Sequence, residues 1–451
     1  MSEALVDERE WLSREAETVD LLSRLLRIDT TNDNETAAAE LLRDFLAAAG
    51  VPGQLIGELP RRQNLVARLK GASPGPTLLL LGHTDVVPAE AEDWSVPPFS
   101  GTVRDGWVWG RGAVDMKNQV AAQAVAVARL ARDRDRLRGD VLYVATCDEE
   151  DGAHCGAKWL VENVPDLVRA DYLLNEGGGE FSQVGDELLY PLTVGEKAFA
   201  QFKIRTHGQA GHGSVPLHER NAVEKLARAI TALANYELPA IVGPLTAAYI
   251  DLIVDDADLR ARLKDPQRAR AAIAELWQRN DKVAQAIEPL LGITFSPTIV
   301  RGGTEAVNVI PSHAEVAVDC RILPQQTPAD VQAAVTAALA PLGDGWEFAW
   351  IDVTNGNESP APTPLSESLE RVLRRAAPRA RLAPLYLSGF TDSRWFREAF
   401  PEIVAYGFCP FFYEDTETMG DRCHGIDERI ATKDVAFQAW YAEQVARDLL
   451  A

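Results

Sequence analysis

The sequence predicts an α/β protein built on a buried sheet, with a second, α+β segment inserted part-way along the chain. Three observations carry this. Short continuous apolar runs at 77–82 and 140–146 alternate with amphipathic stretches of helical period. The texture changes near Gly195, where alternating strands and Ala/Arg/Glu-rich stretches take over. Beyond about residue 365, helical period returns.

Residues 8–27 read as an amphipathic helix, with Trp11, Val19, Leu22, Leu25 and Leu26 at helical spacing. Residues 36–49 repeat the pattern and stop at Gly50, a helix end. Residues 64–69 suit a strand. The run at 77–82 suits a strand covered on both faces. An Ala-rich helix follows at 118–130, then buried strands at 140–146 and 171–175. Residues 199–206 alternate as a half-buried strand does, and 221–234 are helical. Residues 255–290 read as surface helices, and 315–322 alternate again. A Pro-rich loop at 359–364 leads to helices at 365–376 and 433–450, which return to the first domain. The expected organisation is a catalytic domain over 1–195 and 319–451, interrupted by a lid or dimerisation domain over 196–318. No internal repeat is visible.

Composition narrows the function classes. In 451 residues, 45 Lys and Arg face 67 Asp and Glu, a formal charge of −22. That excess of carboxylates argues against nucleic acid or an anionic membrane as partner. No apolar run reaches about 18 residues, so no membrane span is expected. The charged N-terminus lacks the apolar core of a secretory leader. The five cysteines are scattered with no C-x-x-C pair, which fits a reduced, cytoplasmic setting and argues against a cysteine-based zinc site.

Unusual residues follow the strands. Gly82-His83-Thr84-Asp85 ends the first buried run, and Gly110-Arg-Gly-Ala-Val-Asp115-Met-Lys comes next. Asp148-Glu149-Glu150-Asp151 follows the second run, and Asn175-Glu176-Gly-Gly-Gly the third. Ligands of open α/β sheets bind beyond the carboxyl ends of strands. A lone histidine there is more often a hydrogen-bonded structural residue, and an acidic run is more often a solvated loop. Gly110-x-Gly112 is no dinucleotide fingerprint, since Asp115 stands where the third glycine belongs and would repel a pyrophosphate. The joint pattern, histidine and carboxylates after successive strands, points to a metal site.

These residues carry a resemblance. His83-Thr-Asp85-Val-Val-Pro, Trp94, Pro98-Phe99 and Gly110-Arg-Gly-Ala-Val-Asp115-Met-Lys resemble the M20 family of metallopeptidases and amidohydrolases. Glu149-Glu150, Gly211-His212-Gly-Ser214-Val-Pro216, Gly302-Gly303, Asn308-Val-Ile-Pro311 and Asp319-Cys-Arg321 agree with it. So do Gly389-Phe-Thr391-Asp392 and His424-Gly-Ile-Asp-Glu428-Arg-Ile. The resemblance covers nearly the whole chain and is strongest to the carboxypeptidase S and aminoacylase-like branch. It implies a mixed-sheet, zinc-exopeptidase-like catalytic domain with an inserted α+β lid.

The resemblance also implies roles. Two divalent ions are expected, zinc first, with cobalt or manganese as alternatives. His83 and Glu176 would hold one, Glu150 and His424 the other, and Asp115 would bridge both. A water activated between them would attack an amide carbonyl, with Glu149 as general base. Asp85 would fix the His83 tautomer. The peptide after Asp115 is expected to be cis. His212 would stabilise the oxyanion, and Arg321, Asn308, Gly389 and Thr391 would bind the substrate's carboxylate end. The implied reaction is hydrolysis of an amide bond next to a free carboxylate, in a C-terminal peptide bond, a dipeptide or an N-acyl amino acid. The alternatives are a deacylase of the succinyl-diaminopimelate or acetylornithine type and a non-catalytic binding protein on the same fold. A homodimer through the lid is the expected assembly. The long insert at about 240–295 leaves open whether His212 acts in its own subunit or in a partner.

Overall fold

Leu78, Leu79, Leu80 and Leu81 are all fully buried, so their strand has protein on both faces. In the computed structural model, which describes residues 6–31, 33–152, 154–216, 218–420 and 422–451, this strand is Ser73–His83. The leader reading rests partly on residues 1–5, which lie outside the described residues. The chain divides into two compact units. One comprises residues 1–194, 359–384 and 391–451, the other 195–358 and 385–390.

The first unit is built on a mixed sheet. Its strands run in the order Gly53–Leu59, Arg62–Leu69, Arg138–Thr146, Ser73–His83, Tyr172–Asn175, Val404–Gly407, Glu187–Glu196. The middle four are parallel. The register sets His83 beside Thr146 and Asn175 beside Gly407, so their carboxyl ends share one edge of the sheet. On one face, Leu79, Leu81, Leu142 and Val144 pack with Leu160 of helix Ala157–Asn163 and Phe396 of helix Ser393–Ala399. Helix Lys117–Leu130 packs on the same two strands and lies against helices Glu15–Leu26 and Thr432–Leu449. Val120 of that helix accepts a hydrogen bond from the buried Tyr143 hydroxyl at 3.0 Å. A small sheet, Thr102–Arg104, Trp107–Trp109 and Arg429–Ala431, is stacked with Arg429 over Trp107 and Trp109.

The expected helix at 8–27 is two helices, Glu8–Leu12 and Glu15–Leu26. The break falls at Arg14, whose guanidinium is committed to a buried ion pair with Glu443 at 2.7 Å.

The second unit holds an antiparallel sheet in the order Thr294–Gly302, His313–Ile322, Ala198–His207, Trp346–Val353. Helices Ala222–Asn235 and Pro328–Leu339 bury one face around Phe202, Ile204, Val316 and Val318. This unit continues past the expected boundary at 318. Strand His313–Ile322 runs through that point, and Trp346–Val353 joins the same sheet. The stretch expected as surface helices is also more than surface. Leu259, Leu263, Ile273, Leu276 and Ile287 form an apolar cluster of their own with Ile250. No helix among the described residues is long and apolar enough to cross a membrane.

Candidate functional site

The carboxyl edge of the parallel strands carries His83, Glu149, Glu150 and Glu176. His83 is the last residue of its strand. Glu149 and Glu150 lie in the turn after Arg138–Thr146, and Glu176 directly follows Tyr172–Asn175. A side chain at Gly407 would collide with the Glu176 carbonyl, so glycine is required for that close approach. Asp115 sits in the loop before helix Lys117–Leu130, and the Asp115–Met116 peptide is cis.

Glu428 shapes that loop. Its fully buried carboxylate accepts from the backbone N–H of Val114 (2.7 Å), Asp115 (3.1 Å) and Gly112 (3.1 Å), and pairs with Arg111 at 2.7 Å. Gly112 is left-handed, with φ +87°. His424 arrives from the segment before Arg429–Ala431 and is a non-glycine residue at φ +58°.

The geometry is centred on Asp115. Its Oδ1 lies 3.1 Å from His83 Nε2, and its Oδ2 lies 3.1 Å from His424 Nε2. Glu176 Oε1 is 3.6 Å from His83 Nε2, and Glu150 Oε1 is 3.0 Å from His424 Nε2. Asp115 thus lies between His83, which also faces Glu176, and His424, which also faces Glu150, and Glu150 places an oxygen within 4.8 Å of donor atoms of His83 and Asp115. Glu149 places a carboxylate oxygen within 4.8 Å of the donor atoms of His83 and Glu176. Asp85 differs from expectation in detail. The nearer contact of His83 Nδ1 is the Asp85 carbonyl at 3.0 Å, with the carboxylate at 3.5 Å. The carboxylate instead accepts the Glu150 N–H at 2.8 Å, tying two site loops together.

The charges are strongly coupled. Burial pulls His83 down, but Glu176, Asp115 and Asp85 outweigh it and hold the ring well above the usual histidine range. Asp115 and Glu150 lift His424 to about 10. Burial opposes ionisation of Asp115, yet the two imidazoles hold it well below the usual carboxylate range. Burial, with Glu176 close by, pushes Glu149 well up, and burial raises Glu176 to about 7. Carboxylates outnumber imidazoles in a desolvated space, an arrangement that needs added positive charge.

Three further residues belong to this neighbourhood. Glu428 appears within a recognisable motif, but nothing in the sequence reveals its three amide contacts. Asp392, buried and pushed up to about 8 by desolvation, accepts from Thr146 Oγ1 at 2.7 Å. Cys423 directs Sγ at Asp115 Oδ2, 3.1 Å away. Its adjacency to His424 is the one available sequence signal, and the scattered cysteines obscure it.

The remaining expected residues are spread more widely. Thr391, in the first unit, accepts from Asn175 Nδ2 at 3.3 Å and from the Ser393 N–H at 3.2 Å. His212, Asn308, Arg321 and Gly389 belong to the second unit. His212 is exposed, with Nδ1 2.7 Å from Ser214 Oγ, and the Asn308 carbonyl accepts from Gly213 at 2.7 Å. Arg321 pairs with Asp319 at 3.0 Å and covers the Phe199 ring at 4.1 Å, while its Nη1 is buried with no hydrogen-bond partner among the described residues.

The sequence matches the family model for peptidase family M20/M25/M40 over residues 79–448. The chain belongs to that family. M20 members are hydrolytic enzymes, and this chain is one of them. It is 28% identical over 425 residues to a succinyl-diaminopimelate desuccinylase of Methylorubrum extorquens, covering 92% of this chain and 94% of the relative. It is 29% identical over 375 residues to an N-fatty-acyl-amino acid synthase/hydrolase of Xenopus tropicalis, covering 79% and 69%. Its fold is similar to that of an M20 metallo-carboxypeptidase from Sulfolobus solfataricus, with TM-score 0.71 and 18% identity over 96% of this chain and 99% of the other.

Proposed function

We propose that this M20 enzyme hydrolyses an amide bond next to a free carboxylate, in a peptide or an N-acyl amino acid, using two divalent cations. The observation that carries the proposal is the Asp115 carboxylate, whose two oxygens face different histidines at 3.1 Å each. His83, Glu176 and Asp115 would hold one ion, and His424, Glu150 and Asp115 the other. Mixed imidazole and carboxylate donors suit zinc, with cobalt or manganese next. When bound, such ions supply Lewis acidity for a carbonyl and acidify water.

The chain's own groups do the rest. Glu149 takes the proton from the attacking water and returns it to the leaving amine, a task suited to a carboxylate raised by burial. Asp85 orients His83 through its carbonyl and steadies Glu150 through its carboxylate. Glu428 holds the loop that presents Asp115. For the second unit we carry over the roles implied by resemblance, His212 toward the oxyanion and Arg321 with Asn308 toward the substrate carboxylate. The buried Arg321 Nη1, without a hydrogen-bond partner among the described residues, supports an anion partner.

The desuccinylase and acyl-amino-acid relatives favour N-acyl substrates over peptides. A biosynthetic deacylase is the specific alternative within that class. A screen of N-acyl amino acids, succinylated diamino acids and dipeptides, ranked by kcat/KM with Glu149→Gln as control, separates these. Hydrolysis unaffected by both chelator and Glu149→Gln would sink the mechanism.

A further inference from the structure

We propose that Cys147 and Cys155 form a redox modification site, a buried dithiol that hydrogen peroxide converts to a disulfide, displacing the turn that carries Glu149 and Glu150. The consequence for hydrolysis rests on the roles proposed above for those two carboxylates. The disulfide itself does not.

In the sequence these cysteines stand eight positions apart, outside any C-x-x-C motif. The fold brings them together. Their sulfurs lie 3.5 Å apart, and the two residues are 0% and 3% exposed. Thiols in such contact need close by only about 1.5 Å to reach a disulfide bond of about 2.05 Å. Asp148 also places an oxygen within 4.8 Å of both sulfurs. Among the described residues those three donors fall one short of a four-coordinate zinc shell, and Asp148 Oδ2 already accepts the Cys155 N–H. The pair is therefore a dithiol and not a metal set.

The pair is built into the root of the turn. Cys147 directly follows strand Arg138–Thr146, and Cys155 lies two residues before helix Ala157–Asn163, so both ends are anchored. Arg62 straps the turn, donating to the Cys147 carbonyl at 2.8 Å and pairing with Asp151 at 2.7 Å. The Cys147 thiol donates back to the Arg62 carbonyl at 3.3 Å. A disulfide removes the thiol proton and with it this bond. It also draws the two roots together between fixed ends, so the displacement falls on the residues between them. Glu149 and Glu150 stand there, two and three residues past Cys147. Misplacing a reacting group by about 1 Å costs about 100-fold in rate.

Opening of the turn exposes the sulfurs. Asp151, Gly152 and His154 are exposed, and a short exposed turn opens locally at far less cost than global unfolding. In the open state a Cys155 sulfur lone pair attacks a peroxide oxygen and the O–O bond breaks, leaving a sulfenic acid and one water. The Cys147 sulfur then attacks Cys155, the S–O bond breaks, and a second water leaves. Two thiols and one hydrogen peroxide thus yield one disulfide and two waters, the peroxide taking up two electrons. A dithiol reductant reverses the step by exchange.

The test treats the full-length enzyme with hydrogen peroxide, quenches with catalase, and reads intact mass, peptide maps and kcat on the best substrate of the screen. Expected are a loss of about 2 Da, a Cys147–Cys155 cross-linked peptide, and a fall of about 10- to 100-fold in kcat that dithiothreitol restores. Cys155→Ser and Cys147→Ser are each expected to keep basal activity and to lose both the cross-link and the reversible inhibition. Oxidation at the exposed Cys423 is common to all three proteins and is subtracted with them. The mass and mapping readouts need no variant, so a substitution that fails to fold leaves the test intact. Peroxide that oxidises Cys423 yet leaves Cys147 and Cys155 as thiols overturns the proposal, as does a cross-linked enzyme with unchanged kcat. The roles of Glu149 and Glu150 are read separately, since an undiminished kcat in Glu149→Gln overturns them whatever the cysteines do.

Discussion

Exchanging Glu428 for glutamine swaps one oxygen for an amino group in a fully buried position. The native Oε1 accepts from Val114 and Asp115, and Oε2 from Gly112 and Arg111. Every neighbour is a donor, so either orientation of the amide sets its NH₂ against two N–H groups. Arg111 also loses its buried counter-charge. Breaking such a pair costs about 3–5 kcal/mol. The first unit, roughly 280 residues, unfolds with an entropy of about 0.6 kcal/mol per kelvin, so the expected fall in Tm is about 5–8 °C. Releasing the Asp115 amide also loosens the shared carboxylate, which should weaken Co²⁺ binding about 10- to 100-fold. Differential scanning calorimetry and cobalt titration read the two effects separately. A Glu428→Gln enzyme melting within about 1 °C of the native one, with cobalt affinity unchanged, would refute the reasoning.

Other expectations follow from the same structure. Glu149→Gln should fold normally and lose about 10²- to 10⁴-fold in kcat, measured on the best substrate of the screen. Chelation should lower Tm, because ions present at 100 times their dissociation constant add about 2.7 kcal/mol to the folded state; an unchanged melt would count against resident cations. Buried Lys197 donates to the Pro289 and Gly292 carbonyls at 2.7 Å each, and desolvation pulls it down to about 7. The unfolded lysine keeps its proton to about 10.4, so the folded state binds fewer protons across that window and stability rises with pH by roughly 1.4 kcal/mol per unit. Urea melts at pH 7 and pH 9.5 should show this rise in the native protein and not in Lys197→Met.

Much of the first unit is legible in the sequence because its central strands are apolar on both faces. The runs at 77–82 and 140–146 declare themselves, and so do the polar residues that follow them. Short strands such as Val404–Gly407 escape notice, since four residues show no period. The extent of the second unit is hidden for a different reason. Trp346–Val353 alternates weakly and earns its place only by pairing with Ala198–His207. At the site, residue types and order point to a metal site, and the resemblance to the M20 family implies which residues hold it. Sequence cannot say that Asp85 approaches His83 through its carbonyl, or that His424 adopts a left-handed turn. Those depend on loop geometry, where no periodic signal exists.

The Arg111–Glu428 contact spans 317 residues of chain. Ribosomal synthesis therefore delivers His83, Asp115, Glu149, Glu150 and Glu176 long before Glu428, which shapes the Asp115 loop, and His424, which faces Asp115 and Glu150. The second unit, residues 195–358 with 385–390, lies wholly between them and is complete in the chain before Glu428 is made. On the proposed donor set, a chain halted before residue 424 would carry that unit and lack one of the two histidines.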